Sequence, residues 1–443
     1  MNAKIYRTTE TIRLLQEDVI FTERTKDNSN ILKVFPHKKK QKIQGFGSSF
    51  TEGSGVSFNK MTEKTKEKLL DLYFGLNGSR YNLARLPIQS CDFSLKNYEY
   101  IKDESDLLHE NFDFSHDDEY IIPFVKAALK VNPEIVFMAS PWSPPAFMKT
   151  NQNMNKGGEL KEKYYESWAL VIKKYLDHYL KNGIKIKKLS VQNEPVAVKP
   201  WDSCLYTNKN ELLFAAKYLR TILKDSPHED IQLYIWDHDK DGLIDWIDQS
   251  FSLDNQIYAE EIDGVAFHWY TGDHFEQINY LATTYPDKDL LFTEGCVPFN
   301  QEPINNHEHA YVYIHDLIGN FKNGTTGYID WNILLDHEGG PNHMGNTCEA
   351  PILYQAEKDK LSINLSYYYI NHFSHFIEND AHVILTSSYS SQIEHVGFIN
   401  PNGDKIIVLY NNGSVSVDFR IVENEKECSL KLSSKEVATV IWQ

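Results

Sequence analysis

The chain has 443 residues, of which 41% are hydrophobic and 24% are charged, and this balance excludes a wholly disordered protein. Its 45 Lys and Arg residues against 62 Asp and Glu leave a net charge of −17, so we expect no nucleic-acid partner. The five cysteines include no C-x-x-C pair, and no apolar run reaches about 18 residues. These features argue against a disulfide framework, a zinc ribbon and an integral membrane segment.

The N-terminal segment contains two strand-like stretches, residues 4–10 and 31–35. The basic run His37-Lys38-Lys39-Lys40 follows them, and we interpret it as a solvated linker. Residues 1–10 carry charges but lack the apolar core of a signal peptide, which predicts a cytoplasmic protein. A secreted protein whose signal peptide has been removed would present the same sequence. The sequence leaves the oligomeric state open.

Between residues 43 and 336, eight short apolar segments alternate with seven longer helical ones. The strand candidates are residues 43–50, 81–88, 134–140, 188–192, 231–236, 263–269, 290–293 and 326–331. The helix-compatible segments are residues 60–76, 118–130, 159–181, 208–224, 242–251, 275–284 and 306–322.

Several of these strands are apolar throughout, as residues 135–139 illustrate, and such strands are typical of a parallel sheet covered by helices. Eight alternating units over about 300 residues predict a (β/α)8 TIM barrel. The alternative is an open doubly wound sheet, which usually carries a G-x-G-x-x-G loop after its first strand. The stretch Gln44-Gly45-Phe46-Gly47 does not have that spacing, which favours the barrel.

The pattern changes after a helical stretch at residues 365–376. Short alternating runs, including residues 406–410 and 437–442, are separated by the turn signals Asn400-Pro401-Asn402-Gly403 and Asn411-Asn412-Gly413. Because so small a β module rarely stands alone, we expect both chain ends to form one smaller antiparallel β-sandwich domain beside the barrel. The predicted division is N-terminal strands at 1–40, a catalytic barrel at 41–376 and a C-terminal β-sandwich at 377–443.

Polar and aromatic side chains follow the predicted barrel strands, where barrel enzymes place their chemistry. They are Arg85 and Asp92 after strand 2, Trp142 after strand 3, Asn193 and Glu194 after strand 4, Asp237-His238-Asp239 after strand 5, His268-Trp269-Tyr270 after strand 6, Glu294 after strand 7, and Asp330-Trp331-Asn332 after strand 8.

Glu194 and Glu294 are notable because a charged residue directly after an apolar strand is costly unless the site uses it. Strands 4 and 7 lie on opposite sides of an eight-stranded ring, and two carboxylates that flank a cleft suit glycoside hydrolysis. The alternative is a metal site built from Asp237, Asp239 and the histidines His238 and His268. No H-x-H motif follows strand 1, so we expect neither a metal nor an organic cofactor.

A series of motifs, in order from about residue 44 to residue 376, resembles glycoside hydrolase family 30, in particular the branch containing lysosomal acid β-glucosidase. The motifs are Gln44-Gly45-Phe46-Gly47, Arg85-Leu86-Pro87-Ile88-Gln89-Ser90-Cys91-Asp92-Phe93-Ser94, Ala139-Ser140-Pro141-Trp142-Ser143-Pro144-Pro145, Asn193-Glu194-Pro195, His268-Trp269-Tyr270, Thr293-Glu294-Gly295-Cys296, Asp330-Trp331-Asn332 and Glu338-Gly339-Gly340-Pro341-Asn342.

The resemblance implies a retaining mechanism, with Glu194 as acid/base and Glu294 as nucleophile, their carboxyl groups about 5–5.5 Å apart. It also implies that the charge of Glu294 raises the pKa of Glu194, so that Glu194 starts protonated. It implies that Asn193 contacts the sugar 2-hydroxyl and that the non-reducing glucose is bound by Asp92, Trp142, Trp331 and Asn346. It implies that His268 and Tyr270 support the nucleophile. It also implies that Arg85 pairs with a carboxylate beneath the site, near Glu294, and that Tyr206 is an aromatic residue at the rim of the cleft.

The implied function is therefore a retaining exo-acting β-glucosidase, whose substrate is a β-glucoside small molecule or a glycolipid. The alternatives are a β-xylosidase, β-fucosidase or β-1,6-glucanase on the same scaffold, or a carbohydrate-binding protein without catalysis. The sequence departs from the family pattern at His343, which replaces a tryptophan, and in the loop 195–203. Both departures fall where the resemblance places the aglycone, so the aglycone stays open.

Overall fold

The structure, a computed structural model, describes residues 1–25, 27–299 and 307–443. Its strands fall into four groups along the chain: an N-terminal set, a barrel set, a short excursion and a C-terminal set. They are β1 (Asn2–Thr8), β2 (Leu15–Ile20), β3 (Thr22–Glu23) and β4 (Ile31–Lys42); β5 (Gly45–Ser49), β6 (Leu83–Ile88), β7 (Val136–Pro141), β8 (Ile186–Ser190), β9 (Gln232–Asp239), β10 (Gly264–His268), β11 (Asp289–Glu294) and β12 (Gly327–Asp330); β13 (Leu335–Asp336), β14 (Ile352–Gln355) and β15 (Lys360–Ile363); and β16 (His382–Ser388), β17 (Ile393–Ile399), β18 (Lys405–Asn411), β19 (Val417–Glu423), β20 (Lys426–Leu432) and β21 (Val437–Trp442).

The α-helices lie between the barrel strands and after them. They are α1 (Glu52–Asn59), α2 (Glu63–Phe74), α3 (Glu104–His109), α4 (Ile122–Val131), α5 (Tyr165–Lys181), α6 (Asn208–Leu213), α7 (Arg220–Leu223), α8 (Leu243–Ser250), α9 (Gln256–Ala259), α10 (Phe275–Thr284), α11 (His307–Asn323) and α12 (Leu365–Ser374). Among the helices of the described ranges, none is long and apolar enough to span a membrane.

Strands β5 to β12 close into an eight-stranded barrel whose neighbouring strands are all parallel. Each predicted barrel strand overlaps one of them, so the predicted (β/α)8 barrel is confirmed. The apolar pattern follows from burial on both faces: every residue of β6 and of β10 is buried. Inside the barrel, side chains from six strands pack into one cluster, which comprises Leu83, Met138, Tyr234, Ala266, Leu291 and Ile329.

The predicted helical segments each contain a helix, with differences at three places. Residues 159–164 precede α5 instead of belonging to it, because Leu160 pairs with Lys149 in an isolated β-bridge. The segments at 118–130 and 208–224 include π-helical turns at Asp117–Ile121 and Phe214–Leu219. Residue 306, the first of the predicted segment 306–322, lies outside the described residues.

The side domain is built from both chain ends, as predicted. Ten strands form one sheet in the order β2-β1-β21-β18-β17-β16-β4-β19-β20-β3. The sheet folds over itself, as shown by Lys405 on β18, which pairs with Glu423 on β19 at 3.0 Å although three strands separate β18 from β19 in that order. One ladder, β4 with β19, is parallel rather than antiparallel. The basic run at 37–40 is exposed, but it forms the end of β4 rather than a linker.

A buried histidine joins the barrel to the side domain. His372 on α12 contacts the hydroxyl oxygens of Thr439 and Thr8, each at 2.8 Å, so one imidazole links α12 to β21 and β1. Burial lowers the pKa of His372 to about 3. The imidazole is therefore neutral, and each ring nitrogen has a hydroxyl partner.

The excursion after β12 shapes the barrel mouth. Strands β13, β14 and β15 form a small sheet that the sequence analysis did not predict. The loop between β13 and β14 carries Asn346 and Cys348, and a bridge between Pro298 and Cys348 ties it to the segment after β11. A long loop is thereby held over the carboxyl ends of the barrel strands.

Candidate active site

The carboxyl ends of the barrel strands surround a cavity of about 310 Å³. Two acidic residues predicted for catalysis, aromatic walls and two thiols line it together. The lining residues are Asp92, Trp142, Asn193, Glu194, Lys199, Trp201, Tyr270, Glu294, Cys296, Trp331, Asn346 and Cys348. This volume lies at the lower end of the range typical of small-molecule sites.

Tight backbone turns aim the side chains at the strand ends. Glu194 has φ of 49° and Asp237 has φ of 47°, values in the left-handed region that non-glycine residues seldom adopt. Their segments are bonded to each other, since the Glu194 N–H donates to the Asp237 carbonyl at 3.0 Å. The Asn193 N–H donates to the Pro141 carbonyl at 2.8 Å. Such strained positions persist where the surrounding structure enforces them, which is common at functional sites.

Arg85 is the buried centre of the site. Its guanidinium donates to Glu294 Oε2 at 2.6 Å, to Asn193 Oδ1 at 2.7 Å and to Asp237 Oδ2 at 2.8 Å. A fourth bond, from Nε, reaches the Ser140 hydroxyl at 3.0 Å. One rigid fork of donors thus sets the relative positions of side chains from β7, β9, β11 and the segment after β8. The predicted pairing of Arg85 near Glu294 agrees with this placement.

Asp237 is a buried carboxylate with a full set of partners. Its Oδ2 accepts from Arg85 and, at 2.6 Å, from Ser190, whereas its Oδ1 accepts from Thr293 at 2.6 Å and lies 3.2 Å from His268 Nε2. Burial opposes ionisation, but the charge of Arg85 and the interaction with His268 hold the pKa of Asp237 well below its usual range. Asp237 therefore stays charged beneath the cavity floor.

Glu294 faces the cavity with both carboxylate oxygens bonded. Oε2 pairs with Arg85, and Oε1 accepts from the Tyr270 hydroxyl at 3.0 Å. The Tyr270 hydroxyl also lies 3.7 Å from Cys296 Sγ. The placement of Tyr270 against Glu294 agrees with its predicted support of this residue.

Glu194 lies among three nitrogen-bearing side chains. Its Oε1 is 3.6 Å from His268 Nδ1 and 3.7 Å from His238 Nδ1, and its Oε2 is 3.2 Å from Lys199 Nζ. Burial raises its pKa, but interaction with His268 and the charges of His238 and Lys199 outweigh burial and lower it to about 2. The predicted raised pKa of Glu194 is therefore wrong, because the interactions with His268, His238 and Lys199 outweigh the single negative neighbour that the prediction considered.

His268 lies beside Glu194 and Asp237, and it is paired with Glu294 in the ladder between β10 and β11. Burial lowers its pKa, whereas the charge of Glu294 and the interactions with Asp237 and Glu194 raise it, with a net pKa of about 10. The proton therefore resides on His268, and Glu194 is ionised.

Asp92 and Asn346 are bonded to each other in the cavity lining. Asn346 Nδ2 donates to Asp92 Oδ2 at 2.8 Å, and the buried Asn346 Oδ1 has no hydrogen-bond partner within the described residues. Burial, followed by the charge of Glu294, raises the pKa of Asp92 to about 8. Trp142 and Trp331 stack on each other with ring centroids 5.1 Å apart. The predicted sugar-binding residues are thus brought together on this side.

Tyr206 is separate from this group. Its ring is buried 6.1 Å from that of Phe214, and it is not among the residues that line the cavity. Its backbone N–H donates to the Pro195 carbonyl at 2.8 Å, so it supports the loop that follows Glu194. Within the described residues, the aromatic side chain that this loop presents to the cavity is Trp201 instead.

Several cavity residues were missed from the sequence. Lys199 and Trp201 lie in the loop 195–203, which departs from the family pattern, so no motif indicated their role. Cys296 lies two residues after Glu294, and this proximity in sequence could have identified it as a cavity residue. Cys348 is far away in sequence, and only the bridge at Pro298 brings its Sγ to 2.8 Å from that of Cys296.

The fold and the site together define a barrel enzyme with a carboxylate-lined, aromatic-walled cavity at the carboxyl ends of its strands. Residues 43–377 match the model of the glycosyl hydrolase family 30 TIM-barrel domain, and residues 380–440 match that of the family 30 beta sandwich domain. The chain belongs to glycoside hydrolase family 30, and it is a glycoside hydrolase.

Relatives of more than one specificity are similar to the chain. Lysosomal acid glucosylceramidase from Mus musculus is 32% identical over 409 residues, which cover 88% of this chain and 79% of that protein. The crystal structure of SrfJ from Salmonella typhimurium superposes with a TM-score of 0.98 at 48% identity, covering all of both chains. A solved endo-beta1,6-glucanase gives a TM-score of 0.90 at 25% identity, covering 100% of this chain and 99% of that one.

Proposed function

We propose that the protein is a retaining, exo-acting β-glucosidase that removes a terminal β-linked glucose and resembles glucosylceramidases in its substrate. The pairing of Asp92 with Asn346 in the cavity lining carries this proposal. Asn346 Nδ2 donates to Asp92 Oδ2 at 2.8 Å, so a carboxyl group and an amide are held together where they can bind the hydroxyls of a terminal glucose.

In the proposed mechanism, Glu294 attacks the anomeric carbon while Glu194 protonates the leaving-group oxygen. Arg85 and Tyr270 keep Glu294 oriented for attack through the two bonds to its carboxylate. The bond from the anomeric carbon to the leaving oxygen breaks as the bond to Glu294 forms. Water then hydrolyses this glycosyl-enzyme ester, with Glu194 acting as base.

His268 supplies the proton in this proposal. Its proton first moves to the ionised Glu194, after the 3.6 Å separation shortens to a hydrogen bond, and Glu194 then gives that proton to the leaving-group oxygen. The loss of charge on Glu294 as it attacks the anomeric carbon favours the first transfer, because that charge is part of what raises the pKa of His268. When water restores Glu294, Glu194 takes the water proton and returns one to His268, so the cycle balances.

The aglycone side favours an apolar leaving group. Val196 and Val198, in the loop directly after Glu194, are 44% and 63% exposed. Exposed aliphatic side chains beside the acid/base suit the lipid portion of a glycolipid. The second candidate is a β-1,6-glucanase, which the similarity to a solved endo-beta1,6-glucanase favours.

The first test is release of nitrophenol from aryl β-D-glucoside, with β-xyloside, β-fucoside and β-galactoside alongside. We expect the β-glucoside to be cleaved fastest and Glu294→Gln to abolish turnover. Glu211→Gln is the matched control, because burial raises the pKa of that glutamate to about 8 and it lies outside the cavity lining. Loss of activity in Glu211→Gln as well would mean that the Glu294 result reports folding rather than chemistry.

Two further measurements separate the remaining alternatives. Proton NMR of the first product tests whether the anomeric configuration is retained. We expect β-glucose, and α-glucose would contradict the covalent intermediate. Parallel assays with glucosylceramide and a β-1,6-linked glucan then test the substrate, and internal cleavage of the glucan would contradict exo action. A chain that cleaves no glycoside but binds glucose would support the carbohydrate-binding alternative.

A further inference from the structure

A cluster of metal-ligand side chains lies directly behind the cavity wall. In the described parts of the chain, one group of three has its ligand atoms within 4.8 Å of one another: Glu194, His238 and His268. Glu194 Oε1 is 3.7 Å from His238 Nδ1 and 3.6 Å from His268 Nδ1. The proposed reaction uses Glu194 and His268 without a metal and gives His238 no role.

Two of the ligand atoms are buried without a hydrogen-bond partner. His238 Nδ1 and His268 Nδ1 are both inaccessible to solvent, and each points at the same carboxylate oxygen from beyond hydrogen-bond distance. Buried polar atoms are usually satisfied, so two unpaired nitrogens around one oxygen mark a place for a shared cation. The rings are not parallel but inclined at 75°, with centroids 6.4 Å apart.

The separations suit a small divalent ion. With metal–nitrogen and metal–oxygen bonds of about 2.0–2.2 Å, the ligand atoms of a tetrahedral zinc site are roughly 3.3–3.5 Å apart. The two oxygen–nitrogen separations need to shorten by only a few tenths of an ångström.

Neighbouring groups orient the ligands. His268 Nε2 is bonded to Asp237 Oδ1 at 3.2 Å, the carboxylate–histidine pairing that fixes a metal-binding imidazole and leaves Nδ1 as the ligand. Asp239 Oδ2 lies 3.7 Å from His238 Nδ1 and adds negative charge on the other side. Two cationic side chains nearby would repel a metal ion. Lys199 pairs with Glu194 Oε2 and Arg85 pairs with Glu294, so neither occupies Glu194 Oε1.

We propose that Glu194, His238 and His268 bind Zn²⁺, or another divalent ion that prefers imidazole, as a reversible inhibitory site. Two imidazoles and one carboxylate favour zinc or copper over magnesium or calcium. The ion takes the place of the His268 proton, which is released to solvent, and it occupies Glu194 Oε1. Inhibition rests on the proposed role of Glu194 as acid/base, whereas binding itself does not.

The test is calorimetric titration of the metal-free full chain with ZnCl₂, paired with β-glucosidase assays over the same zinc range. We expect one zinc per chain, and inhibition that EDTA reverses. His238→Gln and His268→Gln should each weaken zinc binding at least 10-fold, and thermal unfolding checks that both fold. His274→Gln is the control, because His274 lies outside the cluster, with the Thr271 carbonyl at 3.2 Å and the Glu276 carboxylate at 3.7 Å as its neighbours.

The thiols of Cys296 and Cys348 are the competing zinc ligands, so Cys348→Ser is titrated alongside. Retention of zinc binding in Cys348→Ser with loss in His238→Gln supports the site. The reverse pattern, or no binding to the unmodified chain up to millimolar zinc, overturns it. Stoichiometric binding in a chain that hydrolyses no glycoside supports the zinc site and overturns the proposed function, which keeps the two conclusions separable.

Discussion

Replacement of Arg85 by methionine tests whether one buried cation holds the site together. The substitution removes four donors and leaves Asp237 and Glu294 as buried carboxylates without their shared cation. Loss of one partner from a buried ion pair costs about 3–5 kcal/mol. We therefore expect a drop in the free energy of unfolding of about that size. Displacement of Glu294 and Asn193 should also reduce kcat/KM by about 100-fold.

Arg220→Met is the matched control. Arg220 also has two carboxylate partners, Glu261 at 3.1 Å and Asp263 at 2.9 Å, but it lies near the surface at the opposite end of the barrel. Ion pairs of this exposure contribute about 0.2–1 kcal/mol, so its loss should leave kcat/KM unchanged. Arg85→Lys keeps the charge without the fork of donors, and should fall between the wild type and Arg85→Met.

The assays are urea denaturation followed by tryptophan fluorescence, and hydrolysis of an aryl β-glucoside. Equal loss of stability in Arg85→Met and Arg220→Met would refute the assignment of Arg85 as the buried centre. A stable Arg85→Met enzyme with normal kcat/KM would refute it more directly, because Glu294 would then hold its position without the guanidinium.

Three further predictions concern single residues. Asp92, with a pKa of about 8, is neutral below that pH, and the proposed function then has it donate a hydrogen bond to the sugar, so kcat/KM should fall above pH 8 in the wild type and stay flat there in Asp92→Asn. His372 has a folded pKa of about 3, below its unfolded value of about 6.5, so its stabilising contribution is present above pH 6.5 and lost as the pH falls toward 3. His372→Gln should therefore melt lower at pH 7 but lose less stability between pH 6 and pH 4, and an unchanged acid slope would contradict this. N-ethylmaleimide should inactivate the wild type by alkylating Cys348, the cavity thiol that is not fully buried, whereas Cys348→Ser should resist; inactivation at an equal rate would point to another cysteine.

The sequence by itself determined the barrel and the location of the site at the carboxyl ends of its strands. Eight apolar strands alternating with helices leave few other ways to bury both strand faces, and a barrel gathers the carboxyl ends of its strands on one side. Local position in the chain was thus enough to place Arg85, Glu194 and Glu294 near one another. The composite side domain followed from the same kind of reasoning, because a short β module needs a partner edge.

Only the tertiary structure decided the electrostatics of the site. The pKa of Glu194 depends on how close His268, His238 and Lys199 come, and these distances arise from side-chain packing between different strands and a loop. Likewise, Cys348 and Asn346 reach the cavity because β13 to β15 fold a long loop back over the mouth. Sequence spacing does not encode such contacts, since they join residues up to 254 positions apart, as Asn346 and Asp92 do.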